Sequence, residues 1–260
     1  MLEVSKLEVV YHRVSTAIRG VSFKIEEGSI FAIIGSNGAG KTTTLRSISG
    51  FLGMDNAAIT DGAIHFRGEK INGLLPHQIS RKGIVLVPER NKVFETLSTQ
   101  ENLDILCDSK KGGKLSLDGL YEYFPALLRR KKARAGFLSG GERQMLSMAQ
   151  ALLCSPVLLL IDELSQGLAP LITNNLVDIL LQLKKDFGLT IAIVEQNAST
   201  ALGIADYAVV MENGHIVFDG TPERLLHHGD VQEFYLGMKG DEEKSYRDVK
   251  QYRRSRRWWG

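Results

Sequence analysis

The sequence is poor in cysteine, has no long hydrophobic run and shows no large excess of one charge. Its two cysteines, Cys107 and Cys154, are too few for a disulfide framework or a zinc cluster. The first residues, Met1 to Val4, do not resemble a secretion signal. No apolar run approaches the ~20 residues that a membrane-spanning helix needs. We therefore expect a cytoplasmic protein whose role at a membrane, if it has one, is peripheral.

The composition allows one large domain or two small ones. With 260 residues, of which 43% are hydrophobic, the chain can bury a sizeable core. Its charge is unevenly distributed: residues 239–260 contain eight Lys and Arg against four Asp and Glu, whereas the other 238 residues carry 24 basic and 26 acidic side chains. The body, residues 1–238, is therefore not expected to bind nucleic acid. A basic tail that contains Trp258 and Trp259 is expected after it.

The most informative stretch is a glycine-rich loop, Gly35-Ser36-Asn37-Gly38-Ala39-Gly40-Lys41-Thr42. It matches the phosphate-binding loop pattern, which has four free positions between a glycine and Gly-Lys-Thr. The apolar run 30–34 before it predicts a buried strand, and residues 42–48 can continue as a helix. The alternative is an ordinary glycine-rich turn, but such a turn requires neither the strand nor the Lys-Thr pair. The loop therefore predicts binding of a nucleoside triphosphate.

The residue types in this loop suit phosphate oxygens. Glycines let the backbone approach closely with its amide hydrogens pointing inward, and the start of a helix adds partial positive charge. Lys41 can reach the outer phosphates, and the Thr42 hydroxyl can hold Mg²⁺.

A second candidate anion site lies at Leu138-Ser139-Gly140-Gly141-Glu142-Arg143-Gln144, ahead of apolar residues at helical spacing. Ser139 and the two glycines supply a hydroxyl, close backbone approach and exposed amides at a helix N-terminus. The alternative is a capped helix whose glycines only form a turn, and it would suffice if this segment stood alone.

The segment is followed by a buried strand that ends in two carboxylates, Pro156 to Glu163. Asp162 at the strand end can hold Mg²⁺ beside Thr42, and Glu163 can orient the attacking water. This pattern indicates nucleotide hydrolysis.

The remaining pattern predicts an antiparallel start ahead of an α/β core. Strands are expected at 7–11, 20–25, 63–67, 84–87 and 190–194, with a hairpin of 207–211 and 215–218 around Asn213-Gly214. A capping box at Ser98-Thr99-Gln100-Glu101 predicts a helix start. Residues 50–62 are expected to form a loop. The basic run Arg129 to Arg134 is expected to be a solvated helix face rather than a nucleic-acid contact.

The order of these elements, from about Leu2 to Leu236, resembles the nucleotide-binding subunit of ATP-binding-cassette (ABC) transporters. The most specific match is the segment 138–144, which resembles the ABC signature. The resemblance implies an α/β fold: a P-loop NTPase (RecA-like) core with an antiparallel β-subdomain and a helical insert, about residues 92–154, that carries the signature. It also implies that two subunits meet head to tail, so that the signature of one closes over the phosphates held by the other.

Carried over onto this sequence, the resemblance implies three groups of site residues. The expected catalytic residues are Glu163 as the base, Lys41 and Gln196. The expected Mg²⁺ ligands are Thr42, Glu89 and Asp162. The expected ATP-binding residues are Tyr11 against adenine, Gly35, Ser36, Asn37, Gly38, Ala39, Gly40, Lys41, Thr42 and Thr43 of the loop, and Ser139, Gly140, Gly141 and Glu142 of the signature. For Tyr11 the alternative is an ordinary packed aromatic.

Several positions depart from the commonest family pattern. Glu89 stands where glutamine is usual, Gln196 where histidine is usual, and Ala169 where aspartate is frequent. The same departures are characteristic of the branched-chain amino acid importer branch. The Gln196 amide can donate a hydrogen bond to a phosphate but cannot carry a proton near neutral pH. Leu164 and Gln166 are also less usual for the family, because proline is common at the former.

The resemblance therefore implies an ATPase at the inner face of the cell membrane that powers import of branched-chain amino acids or related small polar solutes. Its expected partners are transmembrane permease subunits, a second ABC ATPase subunit and, indirectly, a solute-binding protein. For the tail of residues 239–260 two alternatives stay open: a mobile, soluble terminus, or a peripheral contact with the membrane or the permease. The alternatives are the ATPase of an exporter, or one used in DNA repair or ribosome-associated work. Against the last two stand the lack of a second cassette, of a long heptad segment and of a cysteine set for zinc.

Overall fold

The computed structural model describes residues 1–89, 93–106 and 115–235. Within these ranges the strands are β1 (Leu2–Tyr11), β2 (Ser15–Ile25), β3 (Ile30–Gly35), β4 (Ala57–Phe66), β5 (Glu69–Lys70), β6 (Ile84–Val87), β7 (Leu158–Asp162), β8 (Thr190–Glu195), β9 (Tyr207–Glu212) and β10 (His215–Gly220). The α-helices are α1 (Lys41–Ser49), α2 (Pro76–Arg81), α3 (Thr99–Asp104), α4 (Leu117–Tyr123), α5 (Pro125–Arg129), α6 (Gly140–Leu153), α7 (Pro170–Phe187), α8 (Ala198–Leu202), α9 (Pro222–Leu226) and α10 (Gly229–Tyr235).

The core of the molecule is a six-stranded sheet in the order β10-β9-β3-β8-β7-β6. Strands β6, β7, β8, β3 and β9 run parallel, and β10 closes the edge as an antiparallel hairpin with β9. Every residue of β3, β7 and β8 is buried, as expected for apolar strands that are covered on both faces. In register, Ile34 lies opposite Glu195 and Asp162 lies opposite Val194. The carboxyl ends of these three strands therefore meet at one edge of the sheet.

A second sheet is antiparallel, in the order β2-β1-β4-β5. It provides the antiparallel start that the sequence predicts, but its strands are longer than the pattern suggests. The expected loop 50–62 was wrong in its second half, because β4 begins at Ala57. Ala57 pairs with Tyr11 and Ala58 with Val10, so β1 supplies the hydrogen-bond partners that the short-range pattern does not show.

Four helices, α3 to α6, lie between β6 and β7 in the described part of the chain. The predicted capping box is confirmed: Ser98 Oγ accepts a 3.2 Å hydrogen bond from Glu101 N–H, and Glu101 Oε2 accepts one of 2.7 Å from Ser98 N–H. The expected helix over Arg129 to Arg134 was wrong, because α5 ends at Arg129 and Arg134 forms a bridge with Ser98. The residues after Arg129 form a turn that packs on the start of α3, where Gln100 N–H donates a hydrogen bond to the carbonyl of Lys131.

The division into a body of residues 1–238 and a tail of residues 239–260 stays a prediction, because residues 236–260 lie outside the described part of the chain. The same holds for the bounds of the insert, 92–154, since residues 90–92 and 107–114 are also outside it. Among the described residues, no helix combines the length and apolarity needed to cross a membrane.

Candidate nucleotide-binding site

The phosphate-binding loop connects the end of β3 to the start of α1. Its glycines are required by geometry at two positions. Gly40 has φ +103°, and a Cβ there would lie 2.9 Å from the carbonyl oxygen of Ala17. A Cβ on Gly35 would lie 2.4 Å from the carbonyl oxygen of Met211. The loop is therefore pressed against β2 and β9, and larger residues at these positions would change its path.

Lys41 is held inside the loop, where it is only 4% exposed. Its Nζ donates hydrogen bonds of 2.9 Å to the carbonyl of Gly35 and 3.1 Å to the carbonyl of Ser36. Burial lowers the pKa of Lys41, while the nearby carboxylates of Glu163 and Asp162 raise it. The ammonium group is thus fixed where an anion bound by the loop can contact it.

Thr42 and Asp162 bring two oxygen atoms together across the sheet edge. Thr42 Oγ1 donates a 2.9 Å hydrogen bond to Asp162 Oδ1. Burial raises the pKa of Asp162 to about 6, and the Thr42 hydrogen bond opposes this. A hydroxyl and a carboxylate are the oxygen ligands that Mg²⁺ prefers, and a divalent cation would favour the ionised carboxylate. No group of three His, Cys, Asp or Glu side chains among the described residues is arranged to hold a metal ion. The hydroxyl of Thr42 and the carboxylate of Asp162 are themselves donors that fit Mg²⁺, and phosphates and water would complete its shell.

Glu163 follows β7 in an unusual backbone conformation. Its φ is +58°, a left-handed value that costs a non-glycine residue ~1–2 kcal/mol. Its N–H donates a 3.0 Å hydrogen bond to the carbonyl of Val194 on the neighbouring strand. The residue is 6% exposed, and its Oε1 lies 4.0 Å from Lys41 Nζ. The strand end therefore places a buried carboxylate opposite the loop cation.

These side chains surround a cavity of about 400 Å³. The described residues that line it are Ala17, Asn37, Gly38, Ala39, Gly40, Lys41, Thr42, Thr43, Glu89, Glu163 and Gln166. The lining combines the loop and the start of α1 with two acidic residues, Glu89 and Glu163, which follow β6 and β7. Asp162 is not among the described lining residues but is hydrogen-bonded to Thr42, which is.

Tyr11 reaches the same region from the end of β1. Its hydroxyl shares a 3.1 Å hydrogen bond with Thr43 Oγ1, in which either oxygen can be the donor. The ring is partly buried and belongs to the edge of the β1–β4 core. The structure thus brings the Tyr11 hydroxyl to α1, but Tyr11 is not among the described residues that line the cavity, and its contact with adenine stays a prediction.

The segment that resembles the ABC signature begins α6 with a capping box. Ser139 Oγ accepts a 3.2 Å hydrogen bond from Glu142 N–H, and Glu142 Oε2 accepts one of 2.8 Å from Ser139 N–H. Arg130 Nε also donates to Glu142 Oε1 at 3.1 Å. Gly141 packs so closely on α7 that a Cβ there would lie 2.6 Å from Ile172 Cγ2. None of the described residues that line the phosphate cavity belongs to this segment.

Comparison with known proteins decides the family. The model of the ABC transporter family matches residues 18–166. This chain belongs to the ABC transporter ATP-binding family. The high-affinity branched-chain amino acid transport ATP-binding protein BraG of Pseudomonas aeruginosa is 41% identical over 91% of this chain and 100% of the relative. The probable branched-chain amino acid transport ATP-binding protein LivF of Archaeoglobus fulgidus is 37% identical over 92% of this chain and 99% of the relative.

A solved nucleotide-free ATP-binding cassette superposes on this ABC ATPase with a TM-score of 0.77, at 26% identity over 90% of this chain and 98% of that one. The predicted fold class, an α/β P-loop NTPase with an antiparallel sheet, is therefore confirmed. So is the predicted activity, since the cassettes of this family hydrolyse ATP. They bind ATP and ADP and work with membrane permease components.

Several predicted site residues of this ABC ATPase are not among the described residues that line the cavity: Tyr11, Gly35, Ser36, Asp162, Gln196 and the segment 139–142. Gln196 follows β8, is exposed, and is not among the described lining residues. Two residues that the sequence pattern did not single out, Glu195 and Ser165, join the end of β8 to the turn after β7 through two hydrogen bonds of 2.8 Å. Burial raises the pKa of Glu195, and the Ser165 donors oppose this. The available signal was an acidic residue at the end of the apolar run 190–194.

Proposed function

We propose that this chain is the ATP-hydrolysing subunit of an importer of branched-chain amino acids or related small polar solutes. One observation carries the choice of solute: two relatives that match over nearly their whole length, at 41% and 37% identity, are named as branched-chain amino acid transport ATP-binding proteins. The predicted departures at Glu89, Ala169 and Gln196 agree with that branch.

The described geometry supports a role for each residue in hydrolysis. The loop amides and the start of α1 bind the phosphates of ATP, with Lys41 Nζ as the fixed cation. Thr42, Asp162 and Glu89 would hold Mg²⁺, which neutralises charge on the phosphates when it is bound. Glu163, buried at the cavity wall, accepts the proton of the attacking water.

A second subunit completes the site in this proposal. In the segment from Ser139 to Glu142, Ser139 and Gly140 are exposed, Glu142 is partly buried and Gly141 is buried, and none of them lines the described cavity of its own chain. In a head-to-tail dimer it lies against the ATP of the other subunit, and Gln196 donates to the terminal phosphate. Closure of the dimer on ATP moves the insert, which contacts the permease at the inner face of the membrane, while the solute-binding protein acts through the permease.

The function is tested by solute uptake in cells of the source organism. Deletion of this gene should abolish high-affinity uptake of radiolabelled leucine, isoleucine or valine. A plasmid copy of the full chain should restore the uptake, whereas Glu163→Gln should not. Glu233→Gln, the same chemical change at an exposed position of α10, is the matched control and should restore it. Unchanged uptake of all three amino acids in the deletion strain would contradict the proposed solute class, and loss of an export process instead would assign the chain to an exporter.

A further inference from the structure

A buried carboxylate that has no role in the proposed mechanism lies beside the turn that follows β7 and contains Glu163. Glu195, the last residue of β8, is 1% exposed. Both of its oxygens are hydrogen-bonded to one residue: Oε1 accepts from Ser165 N–H and Oε2 from Ser165 Oγ–H, each at 2.8 Å. A carboxylate this deep is costly unless it is fully hydrogen-bonded, so the contact is a built feature of the site.

The end of β8 holds the turn after β7 at two successive points. The carbonyl of Val194 accepts the N–H of Glu163, and the side chain of Glu195 holds Ser165 two residues further on. Glu163 lies between these anchors with φ +58°. A left-handed residue with a side chain persists only where its surroundings fix it from more than one side.

The backbone of Glu163 determines where its carboxylate stands relative to Lys41. Loss of the Glu195 carboxylate removes the anchor on the C-terminal side of Glu163, so that φ of Glu163 can relax toward the common negative values. The carboxylate then moves away from its place 4.0 Å from Lys41 Nζ. A displacement of about 1 Å in a catalytic group can reduce a rate by about 100-fold.

We propose that Glu195 and Ser165 are positioning residues that aim Glu163 at the phosphate cavity. The inference rests on the proposed role of Glu163 as the base. It assigns a mechanistic use to a side-chain pair 30 positions apart in sequence.

The test uses the purified full-length chain with four variants: Glu195→Gln, Glu195→Ala, Ser165→Ala and the double variant Glu195→Ala/Ser165→Ala. For each we measure kcat, KM for ATP, the affinity for a fluorescent ATP analogue and the melting temperature. Glu195→Ala should lower kcat about 10- to 100-fold and leave nucleotide affinity within about twofold of the parent. Ser165→Ala should act in the same direction but less, because its N–H still donates to Glu195. The kcat of the double variant should be no lower than that of the weaker single variant, because both substitutions remove the same contact between Glu195 and Ser165.

Glu195→Gln keeps the length of the side chain and can still accept the Ser165 N–H, so its kcat should lie between the parent and Glu195→Ala. Two matched controls separate positioning from stability. Asp206→Asn changes a carboxylate that accepts 2.6 Å hydrogen bonds from Ile30 N–H and Lys184 Nζ at the opposite ends of the strands. Ser49→Ala removes a buried hydroxyl that donates at 2.8 Å to the carbonyl of Leu45. Both should lower the melting temperature with kcat unchanged at temperatures well below melting.

The inference is overturned if Ser165→Ala and a folded Glu195 variant keep the kcat of the parent. It is also overturned if Asp206→Asn and Ser49→Ala lower kcat as much as the Glu195 and Ser165 variants do. The same holds if the two single losses simply add in the double variant. Glu163→Gln, measured alongside, separates this result from the proposed function. If Glu163→Gln hydrolyses ATP at the parent rate, the role of Glu163 fails; if it is inactive while Glu195→Ala is not, only the positioning role fails.

Discussion

At the scale of single residues, the site contains a cation and a carboxylate that are both buried within the chain. Lys41 is 4% exposed and Glu163 is 6% exposed, with 4.0 Å between Nζ and Oε1. A buried ion pair of this kind contributes little net stability, because desolvation offsets the attraction. The two charges are therefore better explained by their proposed roles toward ATP, phosphate binding by Lys41 and activation of water by Glu163, than by a contribution to stability.

Replacement of Glu163 by Gln should separate ATP binding from ATP hydrolysis. The substitution keeps the shape of the side chain and removes only the charge that polarises water, so turnover should fall by about 100-fold or more. Affinity for ATP should persist, and size-exclusion chromatography with ATP and Mg²⁺ should show a trapped dimer. Lys41→Ala is the contrasting variant and should lose ATP affinity, because it removes a cation held 2.9 Å from the Gly35 carbonyl inside the loop.

A Glu163→Gln protein with the turnover of the parent would remove Glu163 from the mechanism. A Lys41→Ala protein that binds ATP as the parent does would show that the loop amides alone hold the phosphates.

At the scale of elements, α6 carries the signature segment on its first turn. The Ser139–Glu142 capping box satisfies backbone N–H groups at the helix start within the chain itself. The close approach of Gly141 to Ile172 fixes this start against α7. The segment is thus rigid in one subunit and can meet another as a preformed surface.

Ser139→Arg should block turnover but leave ATP binding to the separate chain nearly intact. The bulky cation would stand in the proposed interface, whereas the phosphate cavity of the same chain contains no signature residue among its described lining. Ser116→Arg is the matched control, because Ser116 caps α4 in the same way, accepting from Gly119 N–H at 3.1 Å. Each change costs ~0.5–2 kcal/mol of capping, so only the effect specific to Ser139 should appear in the ATPase rate.

Mixed dimers sharpen the test. One Ser139→Arg subunit paired with a parent subunit should keep about one active site of two if sites act independently. Full activity of pure Ser139→Arg with its permease would contradict the head-to-tail arrangement.

Elements that depend on nearby residues could be predicted from the sequence. The helix starts at Ser98 and Ser139 satisfy backbone groups within three residues, and the loop 35–42 is defined by the spacing of its own residues, so these patterns suffice. The start of β4 at Ala57 could not be predicted, because its partner Tyr11 is distant in sequence. The contact between Ser165 and Glu195 could not be predicted either, because the two residues are distant in sequence and meet only because β7 and β8 are neighbouring strands.

At the scale of the whole molecule, the basic tail of residues 239–260 lies outside the described residues, and its role stays a prediction. It contains the only two tryptophans of the chain, Trp258 and Trp259, next to Arg256 and Arg257. Basic residues near an anionic surface contribute ~1 kcal/mol each, and tryptophan prefers the membrane interface.

Tryptophan emission of the full chain should therefore shift to the blue when anionic liposomes are added at low salt. High salt should reverse the shift, because it screens the attraction. The double variant Trp258→Phe/Trp259→Phe gives the background, since no other residue is a tryptophan. A spectrum that changes with neither liposomes nor reconstituted permease would leave the tail without a membrane contact.

Because the signature segment is separate from the cavity of its own chain, the ATPase rate should depend on protein concentration. In the proposed dimer each complete site takes its loop from one chain and its Ser139 segment from another, so separate chains contain no complete site. Well below the dissociation constant of the dimer, halving the protein concentration should cut the number of complete sites to about a quarter. Permease subunits that hold two copies side by side replace the bulk concentration with a fixed local one. Separate chains would then hydrolyse ATP slowly, and chains assembled on the permease would hydrolyse it faster.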